Sequence, residues 1–254
     1  MKKLIVLALI VFVFTACDKN EGEGPIVTET LDISTFTGIQ LDGSFDVVVT
    51  NGIEQSVIAR GHQNIIDKLR TNVSNDKWKI ELENGSYSNI ELNIFITTPH
   101  LNNIQNTSSG DIRVDADFTD DQLALEIDGS GDIIVEGTLI ANQEADFKID
   151  GSGNIKIDHL ETTNTIAKID GSGQLNVNGI SNKTTIDIDG SGDVLAFDLI
   201  SDICLINTDA SGTCEVYVND VLDVNIDGSG DVYYKGEPDV IVKVDGSGRI
   251  VNAN

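Results

Sequence analysis

The chain has 254 residues, 42 acidic against 16 basic, a formal net charge of −26 and only 5% aromatic residues. Nucleic-acid binding is a poor fit, because phosphate contact needs a basic footprint. Collagen, coiled-coil and polytopic membrane compositions fit no better, and hydrophobic residues at 40% in regular order argue against the disorder that acidic, aromatic-poor chains can show.

The amino terminus reads Met1-Lys2-Lys3 followed by an apolar run from Leu4 to Phe14. A basic start and a short apolar stretch form a secretory signal, and the run is too short for a bilayer span of roughly 20 residues. It ends Phe14-Thr15-Ala16-Cys17, which resembles a bacterial lipoprotein signal: cleavage before Cys17, then acylation of its thiol and new amino group. Leu is the usual residue at the Phe14 position, so the match is imperfect. The partner implied is the membrane, through acyl chains contributing about 0.8 kcal/mol per buried methylene. Residues 17–25, polar and Gly-rich, read as a flexible tether.

Strands are expected at Ser56–Arg60, Trp78–Glu83 and Ile90–Thr97, with a short helix over Gln63–Arg70. The phrase Leu41-Asp42-Gly43-Ser44-Phe45 resembles one copy of a repeat that dominates the rest of the chain. Asp-Gly-Ser-Gly recurs at Asp128, Asp150, Asp170, Asp189, Asp227 and Asp245, with degenerate copies starting at Thr107 and Asp209. Successive starts are 18 to 22 residues apart. Counting each Asp as zero, aliphatic residues alternate at −3 and −1 and again at +5 and +7, so each copy reads strand, turn, strand. A further apolar residue, Leu139, Leu160, Ile180 or Leu199, suggests a third side near +10 or +11.

Identical turns at a constant period fit stacked coils better than a meander, which would need a second equivalent turn. The fold expected is all-β: a parallel β-helix, or β-solenoid, with coils about 4.8 Å apart and a rod of roughly 35–40 Å. Four segments follow: a lipoprotein signal (1–16), the tether (17–25), an N-terminal β module continuous with the solenoid (26–105) and the Gly-Ser-Gly repeats (106–254). Asp42 lies 65 residues before Thr107, close to three periods.

Several phrases together resemble a known family. They are Phe36-Thr37-Gly38-Ile39-Gln40-Leu41, Phe45-Asp46-Val47-Val48-Val49, the Gly-Ser-Gly turns, and Val232-Tyr233-Tyr234-Lys235-Gly236-Glu237-Pro238 before Gly246-Ser247-Gly248. In this order they are similar to the DUF2807 family, the "putative auto-transporter adhesin, head GIN domain" proteins of Bacteroidetes, over about residues 34–252. The resemblance implies a secreted or lipid-anchored β-helical protein and supplies no catalytic residues.

Two readings of the turns stay open. In the first they are turn formers: Gly at +1 and +3 supplies unusual backbone angles, Asp at zero bonds turn amides, and Ser at +2 bonds a neighbouring coil. In the second, stacked carboxylates at zero and at +4 (Asp111, Asp132, Asp193, Asp231) hold a hard cation such as Ca²⁺. The phrases match neither an EF-hand loop nor the nine-residue calcium repeat, and Asn154, Gln174, Thr213 and Arg249 interrupt the +4 column, so turn formation is the stronger reading and no metal ligand is assigned.

Cys204 and Cys214 occupy −5 and +5 of one copy and read as buried free thiols more readily than as a disulfide, which an envelope location would allow but which positions −5 and +5 do not favour. His62, His100 and His159 share no metal or catalytic spacing, and no catalytic residue is assigned. The function expected is a non-enzymatic cell-envelope lipoprotein on the outer membrane, surface- or periplasm-facing. It would serve as an adhesin-like or structural binding module for an unknown extracellular or envelope ligand. The rivals are a carbohydrate-active enzyme on a β-helix scaffold and a calcium-stabilised solenoid.

Overall fold

The computed structural model describes residues 19–209 and 211–254; Cys17 and the signal segment lie outside them. The chain is a parallel β-solenoid. From strand Asn103–Asn106 onward it winds through about seven turns, each coil hydrogen-bonded in parallel to the next.

The alternation read from the sequence becomes two continuous inward columns. At −1 stand Leu41, Asn106, Ile127, Ile149, Ile169, Ile188, Thr208, Ile226 and Val244, paired coil to coil. At +5 stand Val47, Ile112, Ile133, Ile155, Leu175, Val194, Cys214, Val232 and Ile250. All but the terminal Val244 and Ile250 are buried, which is the apolar transfer that drives the coils together. The polar intruder Asn106 is satisfied: its Nδ2 donates to Gly110 O (2.8 Å), and its Oδ1 accepts from Ser108 N (3.2 Å). On the third side small residues line up, with Thr165 Oγ1 donating to Ser181 Oγ (3.0 Å) and Thr184 and Ser201 hydroxyls 2.6 Å apart.

One expected third-side residue is placed differently. Leu139, Leu160 and Leu199 are buried, but Ile180 is exposed. Gly179 pairs with Leu160 on one side and Leu199 on the other. The coil starting at Asp170 is one residue shorter than its predecessor, so the inward slot falls on glycine and Ile180 turns outward. Gly179 has φ +133° there, and a Cβ would lie 1.9 Å from Leu160 O.

The N-terminal module adds coils out of sequence order. Strand Gly38–Asp42, the turn and strand Asp46–Asn51 stack directly on Asn103–Asn106 and Ile112–Val114. Asp42 and Thr107, expected three coils apart, therefore sit in adjacent coils, with Thr107 N donating to Leu41 O (3.0 Å) and Gly110 N to Gly43 O (3.1 Å). The intervening chain stacks on the opposite side: Lys77–Glu81 and Leu92–Thr98 pair in parallel with the same two strands. The ladder on the pre-turn face thus reaches ten strands, from Lys77–Glu81 to Asp239–Val244, or about 43 Å at about 4.8 Å per strand.

This outermost coil is capped. Strand Ser56–His62 runs antiparallel to Leu92–Thr98, and Ile26–Leu31 antiparallel to Ser56–His62. Helix Gln63–Ile66, shorter than expected, buries Ile65 and Ile66. A hairpin joins Val73–Ser74 to Lys77–Glu81 through Asn75 and Asp76, both at positive φ (52° and 58°), the combination a two-residue type I′ turn requires. Trp78 is fully buried beneath this cap, 5.8 Å centroid to centroid from Phe36, its Nε1 donating to Arg70 O (3.0 Å).

The tether is also partly ordered, against expectation. Lys19–Glu21 pairs in parallel with Ser86–Ser88, Asn64 Nδ2 donates to Glu21 O (2.8 Å), and Glu23 N donates to Asn64 Oδ1 (3.0 Å). A surface ladder needs only backbone polar groups, so a stretch without core-forming side chains can still dock.

Candidate functional site

The recurring turns form one edge of the rod. Their glycines serve close approach, not unusual angles: among the described residues the glycines with left-handed φ are Gly24, Gly179 and Gly236, none of them in an Asp-Gly-Ser-Gly turn. A Cβ on Gly151 would lie 1.9 Å from Gly129 O, and one on Gly171 2.0 Å from Gly151 O. The turns stack so tightly because Ser152 N donates to Gly129 O and Ser172 N to Gly151 O, at 2.9 and 3.0 Å. The +2 serines thus link coils mainly through the backbone, with a side-chain link at Ser247 Oγ to Ser229 Oγ (3.0 Å).

The +4 column is a side-chain ladder parallel to the sheet. Asp46 Oδ1 accepts from Asp111 N (3.0 Å), Asp111 Oδ1 from Asp132 N (2.9 Å), Asp132 Oδ1 from Asn154 N (2.7 Å), and Asn154 Oδ1 from Gln174 N (3.0 Å). It resumes at Asp193 Oδ1 with Thr213 N (2.8 Å) and at Asp231 Oδ1 with Arg249 N (3.0 Å). Asn154 continues the ladder because its amide oxygen accepts as a carboxylate does. After the longer Gln174, Asp193 N turns to Gly173 O (3.2 Å).

The position-zero carboxylates point outward and meet the −2 column. That column runs Gln105, Glu126, Lys148, Lys168, Asp187, Asn207, Asn225 and Lys243. The oxygens of Glu126, Asp128 and Asp150 lie within 4.8 Å of one another, a cluster of three carboxylates on the turn edge. Lys148 Nζ already sits in it, 2.5 Å from Asp150 Oδ2 and 3.4 Å from Glu126 Oε1, and Gln105 Nε2 donates to Asp128 Oδ2 (3.1 Å). The hydrogen bond that Lys148 donates to Asp150 leads the causes that hold its ammonium well above the usual lysine range. The Lys148 ammonium thus supplies a positive charge to Asp150 and Glu126 at the spot where the carboxylates crowd. The −2 column was legible in the sequence as a lysine or amide two residues before most turns.

Two clefts flank the cap. One, about 300 Å³, is lined by Asp42, Phe45, Glu81, Glu83 and Tyr87. Its carboxylates are ion-paired: Lys79 Nζ lies 2.8 Å from Asp42 Oδ2 and 2.6 Å from Glu81 Oε2, and Lys68 Nζ 3.0 Å from Glu83 Oε2. The other, about 440 Å³, is more apolar, with Ile33, Phe36, Ile53, Pro99 and His100 in its lining; Ile53 at its edge is 96% exposed.

The remaining candidates are dispersed. His62 and His100 belong to the cap region and His159 to the rod, where its Nε2 lies 3.1 Å from Glu161 Oε1. Cys204 and Cys214 are buried free thiols. Burial pushes the Cys204 thiol up to about 12 and raises Cys214 as well. Cys17, the predicted lipidation site, lies outside the described residues.

The geometry has close relatives among solved structures. A protein from Parabacteroides distasonis titled "putative lipid binding protein" is 26% identical, with TM-score 0.87, covering 93% of this chain and 100% of its own. A "putative adhesin" from Parabacteroides merdae superimposes with TM-score 0.88 at 18% identity, over 93% of this chain and 100% of its own. Another from P. distasonis gives 0.86 at 22% identity, over 92% and 99%. No curated protein matches the chain. The family profile described as "Putative auto-transporter adhesin, head GIN domain" matches twice, at residues 35–139 and 136–238. The chain therefore belongs to the DUF2807 family.

Proposed function

We propose that this chain is a non-enzymatic lipoprotein of the cell envelope, anchored through acylated Cys17, that acts as a rigid binding module of the adhesin type. The observation that carries this reading is the use of the repeated carboxylates. The +4 column bonds coil to coil, and Lys148 pairs with Asp150 and with Glu126 of the neighbouring coil, so the repeats build a stiff spacer. The chain enters at the capped end, where Lys19–Glu21 docks, so an anchor at Cys17 holds that end to the membrane and projects the rod outward. Among the described residues no helix is long and apolar enough to cross a membrane. The family's adhesin description agrees with an envelope or surface location.

The test is metabolic labelling with an alkyne fatty acid, combined with protease shaving of intact cells. The labelled chain should be removed by shaving, and Cys17→Ala should carry no label. An unlabelled wild-type chain refutes the anchor, and a labelled chain that resists shaving places it on the periplasmic face.

A second reading is favoured by the cap cleft of about 440 Å³, a volume within the usual range for small ligands, and by the lipid-binding title of the relative at 26% identity. In it, Ile33, Phe36 and Ile53 take an acyl chain. Titration with a fatty acid should shift the emission of Trp78, which packs on Phe36, and Ile53→Asp should abolish the shift. An unmoved emission spectrum with no ligand retained on gel filtration removes this reading.

A further inference from the structure

The two ends of the rod are built differently. At the amino-terminal end the outermost coil is closed by antiparallel strands and a helix. At the other end, strand Asp239–Val244 pairs on one side with Val221–Ile226, and among the described residues nothing pairs with its other side. Val240, Val242 and Val244 continue the inward columns of Leu222, Val224 and Ile226, which are fully buried, yet they are 39%, 47% and 39% exposed. Ile241, on the outer face, is 57% exposed. An open strand edge and an open core coincide, the combination that natural sheets otherwise cover or blunt.

We propose that this end is an interface between two copies of the chain, paired edge to edge about a two-fold axis through Ile241. The sequence of the strand selects both partner and register. Asp245 N donates to Ile226 O (2.8 Å), so by alternation the N–H and C=O groups of Val240, Val242 and Val244 face the open side. An antiparallel pairing centred on Ile241 places Val240 opposite Val242 of the second copy, in hydrogen-bonded positions, and continues the valine column across the junction. It also places Asp239 opposite Lys243 of the second copy, twice by symmetry, in the closely spaced non-hydrogen-bonded positions. Of the two neighbouring registers that preserve the faces, the one centred on Val242 would set Asp239 against Asp245, a like-charge pair, and the one centred on Val240 would put Pro238, which has no N–H, in a hydrogen-bonded position opposite Val242. Lys243 is ion-paired with exposed Asp245, just beyond the end of its strand, at 2.7 Å, a contact easily exchanged.

Head-to-tail stacking is disfavoured because the receiving end already carries its antiparallel cap. The contact is therefore isologous and closes at two copies. If Cys17 is the anchor, a consequence that rests on the function proposed above, the tethers emerge at opposite ends of the pair. Two membranes could then be joined by one dimer; the dimer itself does not depend on the anchor.

The experiment uses the full chain in detergent with Cys17→Ser, leaving only the buried thiols. Sedimentation velocity should show a monomer–dimer equilibrium. Lys243→Asp should weaken the dimer by roughly tenfold or more, and the exchanged pair Asp239→Lys with Lys243→Asp should restore it. Ile241→Cys should cross-link under mild oxidation at least about tenfold faster than Lys243→Cys, because only residue 241 meets itself within disulfide range. A monomer at roughly 0.1 mM, growth beyond two copies, or equal cross-linking at both positions would each overturn the proposal. Asp239, Ile241 and Lys243 are exposed, and circular dichroism checks that the variants keep the fold.

Discussion

Gly151→Ala distinguishes close packing from backbone flexibility as the reason for glycine in the turns. The added methyl would stand 1.9 Å from Gly129 O, where no real Cβ comes nearer than 3.0 Å, so the two coils must part by more than an ångström. Gly129 O is also the acceptor for Ser152 N at 2.9 Å, and Asp150 N bonds Ile127 O at 2.8 Å. Stretching two such bonds costs about 1 kcal/mol each, and overpacking adds about 1–3 kcal/mol, giving a loss of about 3–5 kcal/mol. Gly24→Ala is the control, because Gly24 has φ +79° and open space around its Cβ position; conformational strain alone should cost about 1 kcal/mol. Urea unfolding followed by far-UV circular dichroism measures both. If Gly151→Ala falls within about 0.5 kcal/mol of the wild type, or costs no more than Gly24→Ala, the close-approach explanation is wrong.

Asp132→Ala removes the acceptor of Asn154 N and should cost about 1–2 kcal/mol in urea unfolding, whereas Asp132→Asn, which copies the residue at 154, should cost much less. Wild-type melting should be unchanged by chelator or by about 1 mM Ca²⁺, while Lys148→Met, which leaves Glu126, Asp128 and Asp150 without their cation, should melt lower and gain a Ca²⁺-dependent rise. The Asp231 carboxyl, held below the ordinary aspartate range chiefly by the Arg249 side-chain hydrogen bond, contributes stability above the unfolded aspartate pKa that is lost as pH falls through its own lower value. A carboxyl titration by NMR should show this depressed midpoint, and Arg249→Gln should raise it. Cys204 and Cys214, kept protonated by burial, should resist a thiol reagent at about pH 8 until the protein is unfolded.

The repeat made most of the solenoid legible, because period-two alternation around an identical turn leaves few other ways to bury Ile127, Ile149 and Ile169 together. Cap strands Ser56–His62 and Leu92–Thr98 were also foreseeable within two residues, but not their antiparallel pairing, since pairing direction leaves no local trace. The −2 lysines were visible in every copy that has one; their meaning was not, because it depends on which carboxylates face them across coils. Ile180 was misplaced because a one-residue change in coil length moves a side chain from one face to the other.

By itself the sequence determined that this acidic, aromatic-poor chain folds as stacked coils with a thin aliphatic interior, since periodicity and turn chemistry act locally. Only the tertiary structure decided what the acidic columns do. A carboxylate's role is set by the donor opposite it, and here those donors, Asn154 N beside Asp132 and Lys148 beside Asp150, come with their carboxylates into one stacked edge. It alone also decided that, among the described residues, one end of the rod is capped and the other open, because an edge depends on which strand lies next in space, whatever the next residue in sequence is.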